Sequence, residues 1–310
     1  MFSEPPPADV LAFNDSIADA MRDLPRLWDV GPERARQVRE EGKSIFGELV
    51  RSSRAETLDI PGPTGPISLR VLPAEDPRGV FFHIHGGGWV LGAADHADPL
   101  LERLVDATSL TVVAVDYRLA PEHPYPAGPD DCEAAAMWLV DNAAEVFGTD
   151  VLAIGGESAG AHLSVVTMVR LRDRIGGCPF LAAALLYGAY DLRGTPSTLA
   201  FGDQPLVLNT PNTRWFVDQF AGSEDLTDPD ISPMFADLAE LPPALFLVGT
   251  MDPLIDDSMF MQARWAAAGN TSTLEIWPGA IHAFDFFETD YGRAGRDSVH
   301  RFLLETVPSS

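Results

Sequence analysis

The sequence predicts an α/β fold in which a mostly parallel sheet carries helices on both faces. From about residue 55, short apolar runs of strand character alternate with amphipathic stretches, the pattern of repeated βαβ units. One run, LTVVAVDY at 110–117, is continuously apolar and β-branched, as a strand buried on both faces should be. The 310 residues suffice for a large core, as one big domain or two smaller ones.

Each element follows from local pattern. TLDIPG (57–62) and PISLRVLP (66–73) read as two short strands joined by a Pro/Gly turn. GVFFHIH (79–85) is a third strand and LTVVAVDY a fourth. A helix is expected over 127–147, a strand over 150–157 and a helix over 159–174. Further strands are expected over 180–188, 244–250 and 272–278. IDDSMFMQARWAAAG and AGRDSVHRFLLETV supply amphipathic helices between and after the last two. Two stretches stand outside the alternation. The first 50 residues look helical, and 191–235 is rich in Pro, Gly, Asp and Thr. An insertion that long between strands is usually functional. Segments 1–50 and 191–235 are therefore expected to pack together as a cap over the carboxyl ends of the strands, with 51–190 and 236–310 forming the α/β core.

Composition narrows the function classes. A formal net charge of −25 makes nucleic acid and anionic membrane poor partners. Lys43 is the only lysine, so the basic side is almost all arginine. No apolar run reaches the roughly 18 residues of a membrane span. MFSEPPPADV has no basic residue and no apolar signal-peptide core, so a cytoplasmic location is expected. Cys132 and Cys178 match no metal spacing and are expected to be buried free thiols of a reducing compartment.

The chemistry concentrates around Gly156-Glu157-Ser158-Ala159-Gly160, which fits Gly-x-Ser-x-Gly between a predicted strand and a predicted helix. Such a turn holds its serine in strained backbone so that the hydroxyl projects. Both glycines are needed because a side chain there would clash. The helix that follows aims its N-terminal dipole at the site, which favours developing negative charge. A serine hydroxyl needs a base to take its proton. Of seven histidines, His282 lies late in the chain, in a loop after a strand, which is where the chain order serine, acid, histidine requires it. His300 falls on the last helix, while His96 and His123 precede the serine. His162 lies one turn beyond Ser158 and is expected to be structural, as is His85. The acid is expected at Asp252, two residues past the strand ALFLVGT, with Asp256 and Asp257 as rivals on the next helix. It would hold the imidazole's tautomer without taking the proton. HIHGGGWVLG (83–92) places Gly86, Gly87 and Gly88 just after the third strand. Their backbone amides can approach a substrate oxygen, and the amide of Ala159 supplies a further donor to the oxyanion.

The stretches HGGGW (85–89), DYRLAPEHPYPA (116–127), GESAG (156–160), DPL (252–254) and Gly279–His282 together resemble the hormone-sensitive-lipase-like esterases of the α/β-hydrolase superfamily. The resemblance spans about residues 55 to 305. It implies an eight-stranded α/β-hydrolase fold with a helical cap, and hydrolysis of short- to medium-chain acyl esters without any cofactor. It also implies a possible homodimer, and oxyanion donors at Gly87, Gly88 and Ala159. Glu157 departs from the family's more frequent Asp or Thr, which is expected to affect loop packing. Arg118 is expected to make a structural salt bridge. The resulting reading is a serine carboxylesterase acting through Ser158, His282 and Asp252. An amidase or deacetylase on the same three residues, and a ligand receptor without catalysis, are the alternatives. Activity is expected to rise with pH as His282 loses its proton, since only neutral imidazole acts as base. Trp89, Trp215 and Phe216, with Phe13 and Phe220, are expected to line an apolar pocket. The acidic surface suggests a preference for neutral or cationic esters over anionic ones.

Overall fold

Strands β1 (Glu56–Pro61) and β2 (Pro66–Leu72) form the antiparallel hairpin that the Pro/Gly turn predicts, with Pro61 opposite Pro66. In the computed structural model, which describes residues 5–308, this hairpin opens a single eight-stranded sheet. The other strands are β3 (Gly79–Ile84), β4 (Leu110–Asp116), β5 (Leu152–Glu157), β6 (Phe180–Leu186), β7 (Ala244–Met251) and β8 (Ser272–Ile281). Their order is β1-β2-β4-β3-β5-β6-β7-β8. Every pairing from β4 onward is parallel, and β2 runs antiparallel to β4. β3 is buried along its whole length and β4 everywhere but its last residue, as the apolar runs require.

Helices cover both faces. Helices α4 (Ala127–Phe147), α5 (Ala159–Ile175) and α8 (Ile255–Ala267) close one core, which includes Leu139, Leu163, Met261 and Trp265. Helices α3 (Asp98–Thr108) and α9 (Asp290–Thr306) close the other with Leu101, Leu104, Val105, Val299 and Leu303. The sequence reading omits α3, although Pro99 in its first turn and apolar residues at 101, 104 and 105 carry a helical signal. A single left-handed residue, Ser109 (φ +57°), separates α3 from β4, so the apolar pattern runs on without a visible break. Helix α9 begins four residues earlier than expected, because the Thr289 hydroxyl caps it by accepting from Gly292 N at 2.9 Å.

The stretches outside the alternation are helical in part. Helices α1 (Ala8–Arg22) and α2 (Leu27–Glu40) precede the sheet, with α2 bent where Gly31 takes φ +75°. Between β6 and β7 lie a short α6 (Pro196–Ala200) and α7 (Thr210–Ala221). Asn14 on α1 donates to Gly279 O at 2.8 Å, which ties α1 to β8. The expected cap starts at residue 1, and its first four residues lie outside those described. No helix among the described residues is long and apolar enough to cross a membrane. Cys132 is buried and Cys178 partly so, both unbonded.

Candidate active site

The sheet reverses its winding direction between β3 and β5. The chain leaves β3 towards β4 on one side and returns to β5 on the other, which opens a crevice at their carboxyl ends. Ile84 pairs with Gly156 in register, so the loops that follow these two strands emerge side by side. Ser158 and the glycine loop are thereby neighbours, although seventy-odd residues separate them in sequence.

Ser158 sits at φ +55°, ψ −116°, a backbone state that a serine adopts only under constraint. Its own amide supplies part of that constraint by donating to Leu186 O at 2.9 Å. The flanking glycines supply the room. A Cβ on Gly156 would stand 2.0 Å from Ile84 O, and one on Gly160 would stand 1.9 Å from the same atom. Both contacts are with backbone, which cannot step aside as a side-chain tip can. Gly160→Ala is therefore expected to destabilise the fold by roughly 3 kcal/mol or more, read as a lowered denaturant midpoint. A loss under about 1 kcal/mol would show that β3 and α5 can separate here and that the turn is not wedged.

The imidazole of His282 spans Ser158 and Asp252. Its Nδ1–H donates to Asp252 Oδ2 at 2.8 Å, and its Nε2 accepts from Ser158 Oγ at 3.0 Å. The carboxylate thus selects the tautomer that leaves Nε2 free to receive a proton. Asp252 is buried, and its second oxygen accepts from Leu254 N at 2.8 Å, which fixes the rotamer. His282 follows β8 directly. That strand runs on to Ile281, beyond the expected end, by crossing Gly279 (φ +79°) with a register shift against β7. On its other side the imidazole meets the ring of Tyr187 in an edge contact at 4.8 Å. The Tyr187 hydroxyl donates to the buried Asp285 at 2.5 Å, and burial pushes that carboxyl up to about 6. Neither Tyr187 nor Asp285 stands out in the sequence, because each lies inside an apolar run.

The rival acids are occupied elsewhere. Asp257 is buried and accepts from Tyr190 N, Asp191 N and the Thr195 hydroxyl, and desolvation raises it to about 7. Asp256 accepts from Ser197 N at 2.8 Å. The two histidines expected to be structural are fixed inside the protein. His162 Nδ1 accepts from Trp89 Nε1 at 3.1 Å while its Nε2–H donates to Ile231 O at 2.8 Å. His85 donates from Nδ1 to Gly86 O at 2.8 Å and stacks on Tyr117 at 4.2 Å. Desolvation lowers them to about 4 and about 3, respectively, so both stay neutral. Glu157 reaches below the turn, where His83 Nε2 lies 2.9 Å from its carboxylate. Arg118 forms a bidentate pair with Asp131 at 2.8 Å.

The glycine loop is held open by its own backbone. Gly87 (φ +114°) and Gly88 (φ +60°) take conformations that side chains disfavour, and Leu91 N donates back to Gly87 O at 2.8 Å. A Cβ on Gly86 would meet Glu157 O at 2.7 Å, so this residue lies against the serine turn. Among the described residues, the amides of Gly87 and Gly88 donate to no backbone or side-chain acceptor. Ala159 is the first residue of α5, where an N–H has no intrahelical partner.

Ser158, His282 and the three glycines open onto a cavity of about 800 Å³. Its apolar walls include Leu27, Trp28 and Phe46 from the N-terminal segment, with Val207, Leu208 and Phe216 from the insertion. Of the aromatic residues expected here, only Phe216 lines it. Trp89 is instead buried, stacked on Phe220 at 4.7 Å, because its left-handed backbone (φ +60°) turns the indole inward to His162. Trp215 packs edge-on against Phe216 from outside the cavity, and Phe13 packs on Phe287. No group of three or more His, Cys, Asp or Glu among the described residues is placed to hold a metal ion.

A sheet of this order, with a serine turn at its crevice, has the form of an α/β-hydrolase. Residues 81–286 match the family described as alpha/beta hydrolase fold. The esterase LipI of Mycobacterium tuberculosis is 37% identical over 267 residues, which are 82% of this chain and 76% of LipI. The first curated relatives are matched over 66% to 76% of their own length. The hyperthermophilic esterase from the archaeon Pyrobaculum calidifontis superposes with a TM-score of 0.88 at 30% identity, covering 97% of this chain and 99% of that one. A hormone-sensitive lipase from a metagenome library superposes at 0.85 with 25% identity, over 98% and 100%. The chain belongs to the α/β-hydrolase fold family, among its hormone-sensitive-lipase-like esterases.

Proposed function

We propose that the chain hydrolyses carboxylic esters of short- to medium-chain acyl groups through a Ser158-His282-Asp252 triad. The observation that carries this reading is the continuous line from Asp252 through His282 to Ser158 Oγ, with Ser158 and His282 facing the cavity. Ser158 Oγ attacks the ester carbonyl as Nε2 of His282 takes its proton. The tetrahedral oxyanion receives hydrogen bonds from Gly87, Gly88 and Ala159. His282 returns the proton to the departing alkoxide, so the alcohol leaves and an acyl-serine remains. Water then gives a proton to His282 and its hydroxide to the acyl carbon. Collapse releases the carboxylic acid and restores Ser158, so the net change is one ester and one water to one acid and one alcohol. Asp252 stays ionised throughout and stabilises the imidazolium.

Residues 1–50 and 191–235 are the cap in this reading. Its support is that residues from 21–46 and 203–216 stand over the serine as cavity walls. A p-nitrophenyl series from acetate to palmitate tests the proposal. Strong turnover is expected for the shorter acyl groups, falling off before palmitate. Folded protein that turned over no member would overturn it.

A further inference from the structure

The balance of charged side chains lining the cavity is the reverse of that in the chain as a whole. Acidic residues outnumber basic ones by 46 to 21 overall, yet six basic residues line this cavity against two acidic ones, Glu157 and Asp203. All six bases (Arg22, Arg26, Arg34, Arg36, Arg39 and Lys43) come from one short segment around α2. Glu157 is already turned towards His83. A low-dielectric cleft walled by one sign of charge concentrates the field inside it, whatever the net charge outside.

Four of the six have carboxylate partners. Arg22 pairs with Asp19, Arg34 and Lys43 share Glu41, and Arg36 holds Glu122. Arg26 and Arg39 have no carboxylate within 4 Å among the described residues, in a chain where carboxylates are abundant. Arg26 lies over the Trp28 ring at 5.4 Å and is exposed. Arg39 is half-buried, lies over the Phe46 ring at 5.5 Å, and uses Nη1 to donate to Gly47 O at 2.8 Å and to Ser44 Oγ at 3.3 Å. Glu40 and Asp95, whose charges act on Arg39, are held by Arg51, and Glu40 also by His96. Desolvation pulls the Arg39 guanidinium below its ordinary value, as expected for a half-buried cation lacking its own counter-ion.

We propose that the Arg-rich wall of this cavity binds a free carboxylate on the substrate itself, with Arg39 as its principal partner. The preferred substrates are then esters that carry an acid group, such as half-esters of dicarboxylic acids. The proposal rests on the ester-hydrolysis reading above. An arginine fork matches a carboxylate in shape and charge, and a partly buried pair is screened less than a surface one. The cavity therefore reverses the expectation that an acidic surface would favour neutral or cationic esters.

The test compares monoethyl succinate, glutarate and adipate with ethyl butyrate, valerate and hexanoate, with acid release followed at constant pH. Wild type is expected to favour at least one half-ester over its neutral match by about tenfold or more in kcat/KM, with the ratio falling as salt rises. In Arg39→Gln the ratio is expected to fall towards one, and Arg39→Lys is expected to keep part of it. Turnover of the neutral esters without any half-ester preference would overturn this proposal alone. A preference that survived both added salt and Arg39→Gln would overturn the assignment to this wall. Turnover of neither series would bring down the ester-hydrolysis reading, and this proposal with it.

Discussion

Ser158→Ala is expected to lower kcat on a short p-nitrophenyl ester by about six decades. The reason is geometric. Oγ faces the cavity and lies 3.0 Å from His282 Nε2, within hydrogen-bond reach of the base. Its removal is expected to leave only the residual acceleration that binding and the proposed amide donors can give. The exchange deletes one atom at a partly buried position, so the fold should survive, and circular dichroism checks that it does. A variant that kept more than about one per cent of wild-type kcat would show that another nucleophile or a directly activated water does the work.

Asp252→Asn is expected to cost about four decades in kcat while leaving the structure in place. An amide has the same shape, and one of its two heteroatoms can still accept from Leu254 N as Oδ1 does now at 2.8 Å. What changes is the other contact, where a hydrogen bond to Nδ1 at 2.8 Å sets the tautomer of His282. An NH₂ group aimed at Nδ1 forces the ring proton to Nε2, and the base then points a proton at the serine it should deprotonate. kcat measured alongside an unchanged melting temperature separates this effect from misfolding. A loss below about tenfold would mean that Tyr187, which meets the same imidazole at 4.8 Å, orients the ring by itself.

Much of this site is legible in the sequence because its constraints are local. The glycines flanking Ser158 are dictated by Ile84 O, which a Cβ at either position would meet at about 2 Å, and only one residue type avoids that. The strand before the turn and the helix after it carry their own periodicity, so the turn has to fall between them. The chain order then points to His282, and the position just past a strand favours Asp252 over Asp256 and Asp257. What the sequence conceals is orientation. Trp89 and Phe216 are both large aromatics near the right elements, yet one faces a buried histidine and the other the cavity. That choice depends on a positive φ at Trp89 and on how α7 docks, and neither is written in residue type. Tyr187 and Asp285 were invisible for a related reason. Each lies among apolar neighbours, and their pairing joins the end of β6 to the turn after β8, a separation of 98 residues. Helix α3 is hidden because its apolar pattern fuses with that of β4.

The division of the cavity between two kinds of chain segment has a consequence for how such a protein can change. Ser158 and the glycine loop, the proposed reacting centre, are anchored to the sheet where a single added methyl group collides with main chain. Most of the cavity wall comes from residues 21–46 and 203–216, none of which belongs to the proposed triad or its amide donors. Drift in those walls can retune which molecule is admitted while the machinery beneath stays intact. A gene copy freed from its old duty would diverge there first, and a laboratory search for new selectivity would do best to randomise those same two stretches.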